Sequence, residues 1–177
     1  MRHCREAAVS ATVEAWLGGP LPDIAPLLQP AAHAIEQVRR DLPPLLRSLA
    51  HERLWARPGR SASIGYHAVH LAGSLERLFT YARGESLSEA QRAALAQERA
   101  IDGVQPPVEV VATLVERALA AALEQLAGTR EEALLVRREV GRAKAPSTVV
   151  GLLFHGAEHT ARHAGQIVTL ARVTEPG

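Results

Sequence analysis

Apolar residues recur every three or four positions along most of this chain, the spacing that lines one face of an α-helix against a core. The first long run extends from about Ala31 to Leu49, with Ile35, Val38, Leu42, Leu45, Leu46 and Leu49 as its stripe. Pro43-Pro44 falls inside it, and each proline removes a helical hydrogen bond, so this helix is expected to kink or divide there. After the loop Arg57-Pro58-Gly59-Arg60, Ser61 or Ser63 can cap a second helix that carries Ile64, His67, His70, Leu71, Leu75, Leu78 and Phe79 and stops before Gly84. A third helix opens at Pro106-Pro107, repeats Val108, Val111, Leu114, Val115, Leu119, Leu123 and Leu126, and closes at Gly128. Pro146-Ser147 opens the longest helix, roughly Thr148 to Val173, with Leu152, Leu153, His155, His159, His163, Ile167 and Leu170 on its inward side.

Shorter segments join these four. Residues 6–17 can form a short amphipathic helix on Val9, Val13, Trp16 and Leu17, ended by Gly18-Gly19-Pro20 and lying outside the main bundle. A polar helix from Ser88 to Glu98 opens with Ser-x-x-Gln, a capping-box pattern, and reads as part of a connection. In the charged segment Arg130 to Lys144, a short strand at Val136 and Val140 is the minor alternative to a loop. The expected fold is all-α: an N-terminal extension over residues 1–26 and a four-helix bundle over residues 27–177.

Composition narrows the functional classes. The 177 residues are 47% hydrophobic and 22% charged, an ordinary globular balance. Lys+Arg 20 against Asp+Glu 19 leaves a net charge of +1, so no overall field attracts nucleic acid or an anionic membrane. The single cysteine, Cys4, has no internal disulfide partner, which fits a reducing compartment. Glu6 and Glu14 interrupt the apolar residues near the start, and no stretch approaches the roughly 18 apolar residues of a membrane span. The expectation is a cytoplasmic protein with a small-molecule substrate and with neither nucleic acid nor membrane as partner.

Chemistry concentrates in the histidines. Five of the 8 lie in two windows, Tyr66-His67-Ala68-Val69-His70 and His155-Gly156-Ala157-Glu158-His159-Thr160-Ala161-Arg162-His163. At about 100° per residue, His155, His159 and His163 share one stripe of a helix, and His67 and His70 share a face of another. Two facing stripes of imidazole would make a metal site, because neutral imidazole is the commonest metal ligand. Four helical residues rise about 6 Å, so one ion can be gripped by His155 with His159 or by His159 with His163. The roughly 12 Å from His155 to His163 is too long for both, and spacing alone leaves open which three bind. The competing reading, core histidines bonded to one another or to backbone, requires burying many unpaired polar rings.

His155-Gly156-Ala157-Glu158-His159 also matches H-x-x-E-H, the inverted zinc-peptidase motif with Glu as general base. Three fixed positions arise easily by chance in a histidine-rich helix, so the peptidase reading is the lesser one.

The run His70-Leu71-Ala72-Gly73-Ser74 and the run Glu158-His159-Thr160-Ala161-Arg162-His163-Ala164-Gly165-Gln166-Ile167 resemble the two signature helices of the DinB/YfiT-like superfamily of metalloenzymes. The resemblance covers roughly Leu27 to Val173 and implies a four-helix bundle. It further implies a divalent metal, commonly Zn or Ni, held by His70, His159 and His163. His67 and His155 lie outside that pattern; each is one turn from a ligand and is a candidate for a donor behind the ligands, a fourth ligand or a proton-transfer group. Relatives of this kind include thiol-dependent S-transferases, so the resemblance implies a low-molecular-weight thiol as co-substrate and a metal that activates it. Metal-dependent hydrolysis and a non-catalytic, stress-associated metal-binding role are the alternatives. Related proteins commonly form homodimers, and the strip of Val9, Val13, Trp16 and Leu17 offers an apolar contact for one.

The remaining features carry smaller expectations. Glu158 falls on a different face from His159 and is expected in a surface salt bridge, while Gln166 is expected to orient the site or tie helices together. Trp55 reads as core, and Tyr66 as a hydrogen-bond donor near the ion. Arg137, Arg138, Arg142 and Lys144 could receive an anionic substrate at the bundle mouth, though a solvated loop is the simpler reading.

Overall fold

The computed structural model of the chain describes residues 13–175. Four long helices form the bundle: α1 (Gln29–Arg47), α3 (Ile64–Ala82), α6 (Val108–Ala127) and α7 (Val149–Val173). The short helices α2 (His51–Trp55), α4 (Glu89–Glu98) and α5 (Ile101–Val104) lie in the connections. Helix α1 packs against α6 and α7, and α3 packs against the same two, so α1 and α3 sit across the bundle from each other. Ile35, Leu42, Leu46, Ile64, Leu71, Leu75, Leu119, Leu126, Leu153 and Ile167 are fully buried along its axis. Among the described residues no helix is long and apolar enough to cross a membrane.

The helix starts follow local chemistry. Ser63, not Ser61, caps α3, its hydroxyl accepting from the Tyr66 amide at 2.9 Å. Ser88 and Gln91 form the reciprocal capping box of α4. Thr148 caps α7 by accepting from the Gly151 amide at 3.1 Å.

Several expectations are corrected. Pro43 and Pro44 do not divide α1, which is one helix to Arg47. The carbonyls that lose a partner belong to Arg39 and Arg40, both exposed and open to water, while Leu42 and Leu46 anchor the helix in the core on either side. Pro146-Ser147 does not begin α7. It lies in strand β2 (Ala145–Thr148), which pairs antiparallel with β1 (Arg137–Val140), so the minor strand reading of the charged segment is the right one at Val140. A proline is tolerated there because a two-stranded hairpin leaves each strand an edge. Leu114 is 43% exposed and His155 is exposed, so neither belongs to its helix's inward stripe. In the N-terminal extension, Ala15–Gly18 is a single 3-10 turn, and Val13 before it and Trp16 and Leu17 within it are exposed. Cys4, Val9 and the first half of the expected helix lie outside the described residues.

Candidate metal centre

Helices α3 and α7 bring the histidines together. Their contacts run in opposite order, His67 meeting His163, His70 meeting His159 and Phe79 meeting Gly156, so the two helices are antiparallel. They also lie close: a Cβ at Gly156 would sit 2.8 Å from the Phe79 ring and 3.3 Å from Leu75. On that seam His70, His159 and His163 each offer a nitrogen within 4.8 Å of the others. The rings are 4.5 Å apart for His159 and His163, 4.7 Å for His70 and His163, and 5.1 Å for His70 and His159.

The outer nitrogen of every one of these rings is already occupied. His70 Nδ1 lies 2.5 Å from a carboxylate oxygen of Glu98. His159 Nδ1 lies 3.2 Å from the Ser74 hydroxyl, whose own proton goes to the Leu71 carbonyl at 3.1 Å, leaving the oxygen to accept. His163 Nδ1 lies 3.0 Å from Nδ1 of His67. With all three Nδ1 atoms engaged, Nε2 is the nitrogen left free on each ring, and a set of three imidazole Nε2 donors fits a divalent metal of the Zn or Ni type.

Charge supports the same use. Burial and then the neighbouring His70 push His159 down to about 4. Burial and then His159 push His163 down to about 3. Burial, followed by His70, also lowers His67. These rings are therefore neutral at physiological pH, the form that binds metal. Burial opposes the charge on Glu98, but hydrogen bonds from His70 and Arg77 outweigh it and hold the carboxyl below its ordinary value.

The other singled-out residues fall at graded distances from the three rings. His67 stands behind His163 and lines a shallow pocket of about 570 Å³ with Ser61, Arg162, Gly165 and Gln166. Tyr66 stacks its ring on His70, centroids 5.8 Å apart and planes 3° apart, and meets His67 edge-on at 5.9 Å. His155 is one turn out along α7, its ring 5.7 Å from His159 and its Nδ1 3.3 Å from Glu158. Glu158 forms the expected surface bridge, to Arg162 at 3.2 Å. A peptidase site would need His155 and His159 as paired ligands, whereas the converging set takes His159 with His163 and leaves His155 with Glu158 on the exposed side.

Other expectations do not meet at the site. Gln166 is exposed at the rim of the pocket that His67 lines and, among the described residues, makes no side-chain hydrogen bond between helices. Trp55 is core: its Nε1 donates to the Pro106 carbonyl at 3.2 Å, and its ring fills the space over Gly65, where a Cβ would lie 2.5 Å from it. The basic hairpin docks at the far end of α3, Arg138 donating to the Ala82 carbonyl at 2.8 Å. Twelve helical residues separate Ala82 from His70, about 18 Å, so Arg137, Arg138, Arg142 and Lys144 do not flank the histidines.

Sequence reasoning passed over Ser74 and Glu98 as parts of this site. Ser74 was within reach, since it lies four residues after His70 on the same helical face. Glu98 comes from a separate helix 28 residues away, and no local pattern announces it.

Comparison with known proteins agrees with this geometry. No curated protein matches the chain. The sequence model of the DinB superfamily matches residues 34–167, a span that holds most of α1, all of α3 and α6, and the three histidines that converge. The chain belongs to the DinB superfamily.

Proposed function

We propose that the protein is a divalent-metal-dependent enzyme of the thiol S-transferase type, holding Zn or Ni on His70, His159 and His163 and using a low-molecular-weight thiol. The observation that carries the metal reading is the convergence of three imidazoles whose Nδ1 atoms are all hydrogen-bonded. Family membership and the thiol-dependent relatives that the resemblance implies support the transferase class. A metal on three imidazoles lowers the pKa of a water or thiol bound at its remaining positions.

The chain's own residues do the rest. Glu98, Ser74 and His67 hold the ligand rings in one tautomer. Tyr66 covers one face of His70. His67 lines the pocket and sits against His163; with its Nδ1 accepting from His163 its proton lies on Nε2, so in this reading it donates a hydrogen bond to the reacting group rather than taking up a proton. His155, exposed and held by Glu158, is assigned no step.

The test is to purify the protein without chelators, measure bound metal by elemental analysis, and screen bacillithiol, mycothiol, glutathione and coenzyme A against an electrophile panel. The expected result is one metal per chain and turnover with at least one thiol, absent in His70→Ala and His159→Ala. His67→Ala should still bind metal, though more weakly, and at saturating metal lose about 100-fold or more in rate, the scale of removing one transition-state hydrogen-bond donor. Absence of stoichiometric Zn or Ni binding refutes the metal site. Turnover without thiol would assign the site to hydrolysis instead.

A further inference from the structure

The three ligand rings are supported unequally. His159 and His163 rest on neutral acceptors, Ser74 and His67. His70 rests on a carboxylate, and that carboxylate is built in from elsewhere: Glu98 is the last residue of α4 and is only 5% exposed. A charge so deeply placed requires compensation. Its Oε1 takes His70 Nδ1 at 2.5 Å, and its Oε2 takes Arg77 Nη1 at 2.9 Å.

The seat for this pair is cut into α3. His70, Gly73 and Arg77 follow one another at helical spacing on one face. A Cβ at Gly73 would lie 2.7 Å from Arg77 Nη1 and 2.9 Å from Glu98 Oε2. Alanine, the better helix former, could enter only if the ends of Arg77 and Glu98 shift from the space they occupy. The run His70-Leu71-Ala72-Gly73-Ser74 thereby contains a ligand, the opening for that ligand's carboxylate partner, and the hydroxyl that holds His159.

We propose that Glu98 is the positioning residue of the metal centre, with Arg77 and Gly73 as its seat, and that α4 is part of the site rather than a connection. Accepting the Nδ1 proton fixes His70 in the tautomer that presents Nε2 and holds the ring in place with a charge-assisted hydrogen bond, which the other two rings lack. Arg77 Nη1 holds the other carboxylate oxygen at 2.9 Å, so the carboxylate is fixed at both ends. This rests on the reading of His70, His159 and His163 as metal ligands.

Cobalt(II) serves as the probe, because its visible absorption reports coordination independently of activity or stability. Wild type, Glu98→Gln, Gly73→Ala and His159→Ala are each titrated with Co²⁺. Glu98→Gln keeps size and a hydrogen-bond acceptor but removes the charge, and is expected to weaken Co²⁺ binding about 10–100-fold and to shift the visible bands. Gly73→Ala leaves every charge in place and crowds the touching ends of Arg77 and Glu98, so it should move affinity and bands in the same direction by a smaller factor. It also serves as the test where Glu98→Gln, leaving Arg77 unpaired, does not fold. Wild-type affinity and bands in Gly73→Ala, or in a folded Glu98→Gln, overturn the positioning role while the metal site stands. Equal Co²⁺ binding by wild type and His159→Ala would instead overturn the metal site itself.

Discussion

Glu36 illustrates how single residues of this bundle hold charge inside. It is 6% exposed on α1 and takes Arg39 Nε at 2.6 Å and Arg40 Nε at 2.8 Å, both guanidinium groups reaching in from the surface. The hydrogen bond from Arg39 is the largest influence on its carboxyl and, with Arg40, outweighs burial to hold it below its ordinary value. A carboxyl depressed in the folded state contributes stability above its unfolded pKa, and that contribution is lost as pH falls through the folded value. Glu36→Gln should therefore cost about 1–2 kcal/mol at pH 7, with a difference from wild type that shrinks as the solution is acidified below about pH 4. Urea midpoints of both proteins across that range provide the check; a pH-independent difference would refute the assignment. Glu98 is the same device turned toward chemistry, a buried carboxylate with one arginine and one imidazole in place of two arginines.

Between elements, the seam of α3 and α7 determines whether the site exists. Both helices were readable from their apolar repeats, and so were the stripes of histidine on each. What the repeats could not give is the closeness of approach, which depends on Gly156 lying against Phe79 and Leu75. Gly156→Ala puts a methyl 2.8 Å from the Phe79 ring, so the helices must part or the ring must move. The expected cost is about 1–3 kcal/mol, seen as a fall of roughly 2–12 °C in Tm, and because Gly156 lies one turn before His159 the same variant should bind Zn more weakly. Calorimetry with and without Zn measures both effects. Unchanged Tm and unchanged binding would show that the seam tolerates a wider spacing.

For the whole molecule, donors drawn from two helices would make a bound metal a clasp on the fold. A ligand that binds only the folded chain, present at 100 times its Kd, adds about 2.7 kcal/mol of stability. In a domain of this size that corresponds to a rise of about 5–10 °C in Tm. Zn should produce such a rise, a chelator should reverse it, and His70→Ala should show neither. A shift of the same size in His70→Ala would place the stabilising ion elsewhere. The basic hairpin, at the opposite end of α3, should leave this shift untouched when Arg138 is changed.

The four long helices, the capping box at Ser88, a serine cap for α3 at Ser61 or Ser63 and the histidine stripes were all legible in the sequence, because each depends on residues within a turn or two of one another. The same locality explains the errors. Prolines at 43 and 44 looked disruptive because the pattern does not show which carbonyls face water, and Pro146 looked like a helix start because its pairing with Glu139 is a contact across a hairpin. Spacing alone leaves His155 and His163 equivalent about His159; the family resemblance favours His163, and the position of α3 supplies the physical reason, since it faces His159 and His163 and leaves His155 outside with Glu158. Tertiary structure alone decided that a polar helix in a connection delivers Glu98 to His70, because a carboxylate buried 28 residues from its partner is stabilised by an arginine and a glycine seat that converge only when α3 and α4 pack.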